Sequence, residues 1–237
     1  MSLVNLFLYQ PVKGLTTRVY TQWNEVYTVS NINDSNIKLS PITIYYHGNA
    51  SSSDQVEYMV KQMSSDQYII PEYPGYRTVP ENQSGITEGI VEDVYKLGLW
   101  IKQHAIPVHI IGRSIGTGPA SLLAAYLLDT SLLKSVHLIS PFSSVRKLVD
   151  EYTLIFGCLV PPNYFNNIST LKSLSKDTRL YIYHGLLDQV ITPSHTHDIV
   201  KQIGMLHTYI NLYPSMDHQN ILSNNIFDQI YKVTNNC

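Results

Sequence analysis

A serine between two glycines stands near the middle of the chain, in the run Gly112-Arg113-Ser114-Ile115-Gly116. A β-branched apolar run precedes it and an Ala- and Leu-rich segment follows it, so the sequence predicts a strand, a sharp turn and a helix. Small residues on both sides of such a turn let the neighbouring strand and helix approach, and the helix N-terminus favours negative charge. We therefore predict that Ser114 is a nucleophile that attacks a carbonyl carbon.

A second turn, His47-Gly48-Asn49-Ala50, directly follows an apolar run. Attack on a carbonyl passes through a tetrahedral oxyanion, which needs two backbone N–H donors in a dry site. We expect one donor at Ile115, just after the nucleophile, and the other at Asn49. His47 is interpreted as a structural histidine that braces this loop rather than as a catalyst.

Two residues further along the chain have the chemistry and the order that a serine nucleophile needs. Asp188 follows one apolar run and His218 follows the last one, which places acid and then base after Ser114. In this order the histidine acts as general base and the carboxylate orients it. Asp217 is the alternative acid, but because it is adjacent to His218 in sequence, it would struggle to reach the Nδ1 atom.

The other histidines indicate no metal site. His195 and His197 follow Pro193 on a predicted helix, where residues two apart point in different directions, so we interpret both as surface histidines. Four more lie within or beside core segments and have no matching partners in the sequence: His104, His109, His137 and His207.

Three glycines of the nucleophile turn, Gly112, Gly116 and Gly118, could also be taken for a dinucleotide-binding loop. That loop follows the first strand of its domain, with an acidic residue about 20 positions later. Here two strand–helix units precede it. A Tyr-x-x-x-Lys pair occurs only at Tyr9 and Lys13, on the wrong side of the loop. We therefore predict no cofactor.

From Pro41 onward, apolar runs alternate with longer helical patterns, which is typical of an α/β protein with a mostly parallel sheet and helices on both faces. The predicted strands are 42–46, 68–70, 108–111, 135–139, 180–183 and 209–212. The predicted helices are 53–63, 86–104, 115–128, 193–203 and 218–233.

The remaining segments are less regular. Alternating pieces such as residues 23–29, with turn residues at 31–36, predict an antiparallel hairpin at the start of the sheet. Residues 144–177 are too few for a large cap, so any lid over the site should be small. No linker or repeat is visible, and we expect residues 1–237 to form one domain.

Composition narrows the range of partners. Charged residues make up 14% of the chain and hydrophobic residues 44%, which is typical of a globular protein. A net charge of −2 gives no indication of nucleic acid, and a neutral or apolar substrate fits better. Two cysteines, Cys158 and Cys237, form neither a disulfide framework nor a metal-ligand pattern, which favours a reduced setting.

No targeting or anchoring segment is evident in the sequence. The N-terminus lacks a basic region, and no run reaches the roughly 18 apolar residues of a membrane span. Ser2 does not fit the rule for N-myristoylation. We expect a soluble, cytoplasmic protein, with peripheral contact to a membrane and the oligomeric state left open.

Five motifs together resemble one branch of the α/β-hydrolase superfamily, which includes protein depalmitoylases and enzymes similar to lysophospholipases and monoacylglycerol lipases. They are His-Gly-Asn-Ala, Tyr-Pro-Gly-Tyr, the Gly-x-Ser-x-Gly turn, Ser-Pro-Phe-Ser-Ser and the run from His-Gly to Asp-Gln-Val, at residues 47–50, 73–76, 112–119, 140–144 and 184–190. The resemblance implies the α/β-hydrolase fold with a small cap or none.

The resemblance also implies roles for residues. Ser114, Asp188 and His218 would form a catalytic triad, and Asn49 and Ile115 would supply the oxyanion amides. The activity implied is hydrolysis of acyl ester or thioester bonds in a small molecule, a lipid or an acylated protein, without a cofactor.

Several aromatic residues are candidates for lining an acyl group: Tyr73, Tyr76 and Phe142. Tyr152 and Phe156 fit a pocket and a core equally well. The chain departs from the family at Glu72, where aspartate is usual, and at Arg77, where glycine is usual, so the loop near the acyl pocket should differ in shape or charge. Related members carry an N-terminal membrane helix or a cysteine cluster, which this sequence does not show.

Two other functions remain open at this level. One is a serine peptidase of the same fold, although no amine-recognising glutamate pair or propeller domain is evident. The other is a catalytically silent member that acts as a binding module, against which the complete set of triad residues argues.

Overall fold

The computed structural model describes residues 9–11, 21–23, 25–32, 37–38, 40–64, 66–76, 79–80, 85–153, 156–161, 164–174, 177–203 and 208–235. Within these residues eight strands form one sheet. The strands are β1 (Thr21–Trp23), β2 (Val26–Ser30), β3 (Ile42–Tyr46), β4 (Gln67–Pro71), β5 (Val108–Arg113), β6 (Leu133–Ile139), β7 (Leu180–Gly185) and β8 (Thr208–Tyr213).

The sheet is mostly parallel, as the alternating pattern predicts. Its strand order is β1-β2-β4-β3-β5-β6-β7-β8. The first two pairings are antiparallel, and every pairing from β4 to β8 is parallel. The carboxyl ends of β3, β5, β7 and β8 therefore meet at one edge of the sheet, which is where the candidate catalytic loops begin.

Helices cover both faces of the sheet. One hydrophobic cluster packs against one face and includes residues of α2 (Ile86–His104) and α3 (Thr117–Tyr126). A second packs against the other face and includes residues of α1 (Ser53–Met63) and α7 (Asn224–Asn235). None of the described helices combines the length and the apolar character that crossing a bilayer requires. The helices are α1 (Ser53–Met63), α2 (Ile86–His104), α3 (Thr117–Tyr126), α4 (Val145–Thr153), α5 (Asn167–Lys172), α6 (Pro193–Ile203) and α7 (Asn224–Asn235).

The last helix begins later than predicted. The sequence pattern starts it at His218, whereas α7 begins at Asn224. The Asp217 carboxylate accepts hydrogen bonds from the backbone N–H groups of Gln219 and Asn220, each at 2.8 Å. Because this side chain satisfies backbone donors locally, it favours a turn over a helix. His218 thus lies in a turn rather than on a helix.

The segment between β6 and β7 is more regular than predicted, because it contains α4 and α5. The Ser144 hydroxyl accepts a hydrogen bond from Lys147 N at 3.1 Å, and the Asn166 side chain accepts one from Ser169 N at 3.1 Å. Side chains of these types stabilise helix N-termini. Both capping residues were visible in the sequence and could have located these helices.

The N-terminal hairpin is present, but its turn is placed differently. The turn between β1 and β2 contains Glu25 with a φ of 64°, inside the run that the sequence assigns to a strand. Residues 33–36 of the predicted turn lie outside the described residues.

Core histidines have partners that sequence reasoning missed. His109 Nδ1 lies 2.7 Å from Ser135 Oγ, and His137 contacts the same oxygen at 2.9 Å and Tyr183 Oη at 3.2 Å. Burial lowers the pKa of His109 to about 4, and it also lowers the pKa of His137 well below its ordinary value. These histidines are buried, neutral members of a polar row on the sheet. His104 Nδ1 lies 3.0 Å from the Trp100 carbonyl oxygen, and the His104 ring packs against the Trp100 ring at 4.9 Å. His207 lies outside the described residues.

The packing of α2 on α3, which carries the nucleophile turn, depends on Gly98. A β-carbon at this position would lie 2.4 Å from Tyr126 Cδ1. The ring cannot easily move away, because Lys102 Nζ lies 4.1 Å above its centroid and the Tyr95 ring packs against it at 5.3 Å. The glycine therefore sets the distance between the two helices.

We predict that Gly98→Ala lowers the free energy of unfolding by about 1–3 kcal/mol through overpacking, although alanine favours a helix by about 1 kcal/mol. Urea denaturation measures this change. In a Tyr126→Ala background, where the ring is absent, the same substitution should be neutral or stabilising. Stabilisation by Gly98→Ala alone would contradict the prediction, since it would mean that the helices separate freely.

Candidate active site

The nucleophile turn is built from close contacts that only glycine permits. Ser114 has a φ of 53°, directly after β5, and begins a short 3-10 turn that leads into α3. A β-carbon at Gly112 would lie 2.6 Å from Ala120 Cβ, and one at Gly116 would lie 2.3 Å from Tyr46 O. The first glycine lets α3 approach β5, and the second lets the turn approach the end of β3.

Three side chains from separate loops meet at this turn. His218 Nε2 lies 3.1 Å from Ser114 Oγ, and His218 Nδ1 lies 2.8 Å from Asp188 Oδ2. All three residues are buried. With the Nδ1–H donated to the carboxylate, Nε2 is free to accept the serine proton.

The loops that carry acid and base are tied to each other by backbone contacts. Leu187 N donates to Met216 O at 2.9 Å, and Leu186 N donates to Tyr213 O at 2.9 Å. A β-carbon at Gly185 would lie 2.2 Å from Met216 O, so this glycine lets the loops touch. Because the two loops contact each other in this way, the positions of Asp188 and His218 are fixed relative to each other.

Asp188 is held as a carboxylate. Burial raises its pKa, but hydrogen bonds from His184 and His218 and from the Ile191 backbone N–H outweigh burial, so the pKa lies well below its usual range. Its Oδ1 accepts hydrogen bonds from Val190 N at 2.9 Å and Ile191 N at 2.8 Å. The charge is therefore stabilised before any substrate binds.

The alternative acid, Asp217, does not contact the imidazole. Its side chain is exposed, and its Oδ1 accepts hydrogen bonds from the two backbone N–H groups that shape the turn after it. Asp188 reaches His218 Nδ1 from 30 positions away. The preference for Asp188 over its neighbour in sequence thus agrees with the geometry.

The loop after β3 is braced by a buried pair. His47 Nε2 lies 2.8 Å from Glu72 Oε1, and His47 Nδ1 lies 2.9 Å from Gly48 O. Glu72 Oε2 also accepts hydrogen bonds from Ser53 N and Ser53 Oγ, both at 3.0 Å. His47 is thus a bracing residue in this structure. Glu72 joins the loop to the start of α1, and Arg77 lies outside the described residues.

This loop runs beside the nucleophile. A β-carbon at Gly48 would come within 3.4 Å of Ser114 Cβ, which brings the Gly48–Asn49 peptide next to the serine. Asn49 Oδ1 accepts hydrogen bonds from Tyr76 Oη at 2.9 Å and from Gln10 N at 2.6 Å. A cavity of about 400 Å³ opens here and is lined by Gln10, Asn49, Ala50, Ser51, Arg113, Ser114, Val190, His218 and Gln219. Ile115, the other predicted oxyanion donor, is buried directly after Ser114.

The aromatic residues predicted to line an acyl pocket lie elsewhere. Tyr73, Tyr76 and Phe142 are at most 2% exposed and belong to the core cluster, and none is among the described residues that line the cavity. Two of them support the loop after β3: Tyr73 Oη donates to His47 O at 2.6 Å, and Tyr76 Oη donates to Asn49 Oδ1 at 2.9 Å. The exposed Tyr152 donates to Val190 O at 2.6 Å, and the Phe156 side chain lies outside the described part of the chain.

His195 was predicted to lie at the surface, but it is buried. His197 is exposed. The Ser143 backbone N–H donates to His195 Nδ1 at 3.0 Å, and His195 Nε2 lies 3.0 Å from Glu151 Oε2. This buried group joins α6 to α4 and to the loop after β6. Its partners are 44 and 52 positions away, so the local pattern could not indicate them.

Sequence reasoning also missed three residues that support the turn or the His218 loop. The Thr117 hydroxyl donates to Ser114 O at 2.7 Å, and the buried Asn167 amide donates to the Thr117 oxygen at 3.0 Å and to Phe142 O at 2.9 Å. Arg113 Nη2 donates to His218 O at 3.0 Å. Arg113 had a visible signal, since it is a cation at the end of an otherwise apolar strand.

No protein-family model and no curated protein matches the chain. Solved structures do match its fold. Acetyl xylan esterase 1 from Thermoanaerobacterium sp. has a TM-score of 0.62 and 18% sequence identity, covering 87% of this chain and 79% of its own. The α/β-hydrolase enzyme MGS-M2 from a Medee basin deep-sea metagenome library has a TM-score of 0.66 and 10% identity, covering 91% and 96%.

A third match is a meta-cleavage product hydrolase from Pseudomonas fluorescens, with a TM-score of 0.65 and 15% identity, covering 92% of this chain and 98% of its own. These likenesses extend over nearly the whole sheet and its helices. The chain therefore has the α/β-hydrolase fold, as predicted. In that fold, reactive residues lie on loops at the carboxyl edge of the sheet, which is where Ser114, Asp188 and His218 meet.

We predict that Asp188→Asn flattens the pH dependence of stability below about pH 4. A carboxyl whose folded pKa is lowered stabilises the fold above its unfolded pKa, and this stabilisation is lost as the pH falls through the folded value. Urea unfolding of wild type and variant between pH 6 and 2 measures the difference. Asp129→Asn, on the exposed turn after α3, is the control for removing one carboxylate. Parallel curves for wild type and Asp188→Asn would contradict the prediction.

Proposed function

We propose that this protein is a serine hydrolase that cleaves acyl ester or thioester bonds through an acyl-enzyme. The observation that carries the proposal is the continuous relay from Ser114 Oγ through the His218 ring to Asp188, with contacts of 3.1 and 2.8 Å. This arrangement makes a hydroxyl nucleophilic, because a base accepts its proton while a carboxylate stabilises the resulting imidazolium.

The reaction has two halves. His218 Nε2 takes the proton from Ser114 as the oxygen attacks the carbonyl carbon, and His218 then donates it to the leaving alcohol or thiol. Water, deprotonated by the same nitrogen, attacks the acyl-serine, and His218 returns that proton to Ser114 Oγ as the bond to the acyl group breaks and the acid is released. The backbone N–H groups of Asn49 and Ile115 bind the oxyanion in both halves. The position of the Gly48–Asn49 peptide beside Ser114 supports the first donor, and the N-terminal turn of α3 supports the second.

The fold matches support ester chemistry over the two alternatives. The names of similar structures include an acetyl xylan esterase and a lipase-esterase related protein from Clostridium acetobutylicum, the latter with a TM-score of 0.63 and 11% identity, covering 88% of this chain and 99% of its own. A silent binding module would have no need for a complete relay with a buried, ionised Asp188. The shape of the cavity decides whether the acyl group is carried by a small molecule, a lipid or a protein thiol.

We predict that a fluorophosphonate probe labels the wild-type chain and that Ser114→Ala abolishes labelling. Ester turnover should fall by about 10⁴-fold or more in Ser114→Ala and His218→Ala, because the relay acts as a unit. Mass spectrometry locates the adduct, and 4-nitrophenyl butyrate gives the rate.

Two aspartates form a matched pair of controls. Asp188→Asn should lower kcat by several orders of magnitude, because the histidine loses the acceptor that selects its tautomer. Asp217→Asn should keep most of the activity, because its carboxylate only shapes an exposed turn. A folded wild type that neither reacts with the probe nor hydrolyses esters would refute the proposed function.

A further inference from the structure

Arg113, which lies between Gly112 and Ser114 in the sequence, is a buried cation beside the candidate site. It is 8% exposed and lines the same cavity as Ser114 and His218. Among the described residues of the cavity wall it carries the only permanent charge, since the others are polar, apolar or the titratable His218.

The guanidinium is only partly satisfied by the protein. Its Nη2 donates to His218 O at 3.0 Å and to Gln219 Oε1 at 3.1 Å. Its Nε is buried without a hydrogen-bond partner among the described residues. Its Nη1 lies beside Gly48, where a β-carbon would approach within 3.2 Å. Arg113 therefore has N–H donors that no described residue accepts, next to Ser114 in the sequence.

No described carboxylate neutralises this charge. Within the described residues, no acidic oxygen lies within 4.0 Å of Arg113. Asp188 and Glu72, the nearby buried acids, are engaged by His218 and His47. Tyr45 is close enough to sense Arg113, but burial raises its pKa to about 12, so its hydroxyl stays neutral. Buried charges are normally paired with an opposite charge. The unpaired guanidinium therefore favours the binding of an anion in this cavity.

We propose that Arg113 is a specificity-determining residue and that the substrates of this hydrolase carry a carboxylate or another oxyanion close to the scissile carbonyl. A guanidinium binds such groups through charge-assisted hydrogen bonds, and Nη2 is the nitrogen of Arg113 that the protein already engages. The cavity of about 400 Å³ is in the range of a small ligand. The inference rests on the proposed function and narrows it to small, anionic esters or thioesters.

The test compares esters that match in shape and differ in charge. Mono-4-nitrophenyl glutarate and 4-nitrophenyl 5-methylhexanoate place a carboxylate or an isopropyl group at the same position of the acyl chain. The esters 3-carboxyphenyl butyrate and 3-isopropylphenyl butyrate do the same on the alcohol side. With uncatalysed hydrolysis subtracted, wild type should favour the anionic ester of one pair by about tenfold or more in kcat/KM, and the pair that responds identifies the side.

Arg113 variants separate recognition from bracing. Arg113→Gln should reduce the anionic-to-neutral ratio to about one, while Arg113→Lys, which keeps the charge but changes the positions of the N–H donors, should retain part of it. Because Arg113 also holds the His218 carbonyl, both variants will slow all esters, and the ratio cancels this shared loss. An equal loss for anionic and neutral esters, or a wild-type ratio near one in both pairs, overturns the proposal and leaves Arg113 as a brace.

Calorimetric measurement of glutarate binding distinguishes a failure of the proposed role of Arg113 from a failure of the proposed hydrolase function. Wild type should bind it, and Arg113→Gln should bind it about tenfold more weakly. A labelled, ester-hydrolysing chain with neither charge preference nor glutarate binding refutes the role of Arg113 alone. A chain that is inert to the probe and the esters but binds glutarate through Arg113 refutes the proposed function alone, and failure of both measurements refutes both.

Discussion

The left-handed backbone at Ser114 is the constraint on which the rest of the site depends. A φ of 53° at a residue other than glycine is strained by about 1–3 kcal/mol, which the surrounding packing must offset. Gly112 and Gly116 allow α3 and β3 to close around the turn without a clash, and the Thr117 hydroxyl holds its carbonyl. The serine side chain is thereby directed toward His218, while the peptide that follows stays at the start of α3.

Buried charge is distributed unevenly around this turn. Glu72 and Asp188 each lie against an imidazole and accept backbone N–H groups, and the pKa of each is lowered despite burial. One stabilises the loop after β3, and the other orients the base. Each of these two carboxylates is therefore stabilised by hydrogen bonds from within the protein. Arg113 has no such partner among the described residues, and it lies in the wall of the cavity that contains Ser114 and His218.

Local sequence patterns located most of the framework, and their failures have a common cause. Helices with strong periodicity, such as α1, α2 and α6, were predicted at their observed bounds. The start of α7 and the helices between β6 and β7 were missed because side-chain contacts with nearby backbone groups decide them. His195 was placed at the surface because its buried partners come from distant segments.

The sequence by itself determined the kind of sheet, the order of its elements and the three residues that meet at its edge. This was sufficient because parallel strands bring their carboxyl ends together whatever the loops contain. Only the tertiary structure decided that Tyr73, Tyr76 and Phe142 pack in the core, and that Arg113 keeps a buried donor without a partner among the described residues. Those outcomes depend on side-chain directions and on contacts between segments up to about a hundred residues apart, as for the Arg113–His218 contact at a separation of 105, which no local spacing encodes.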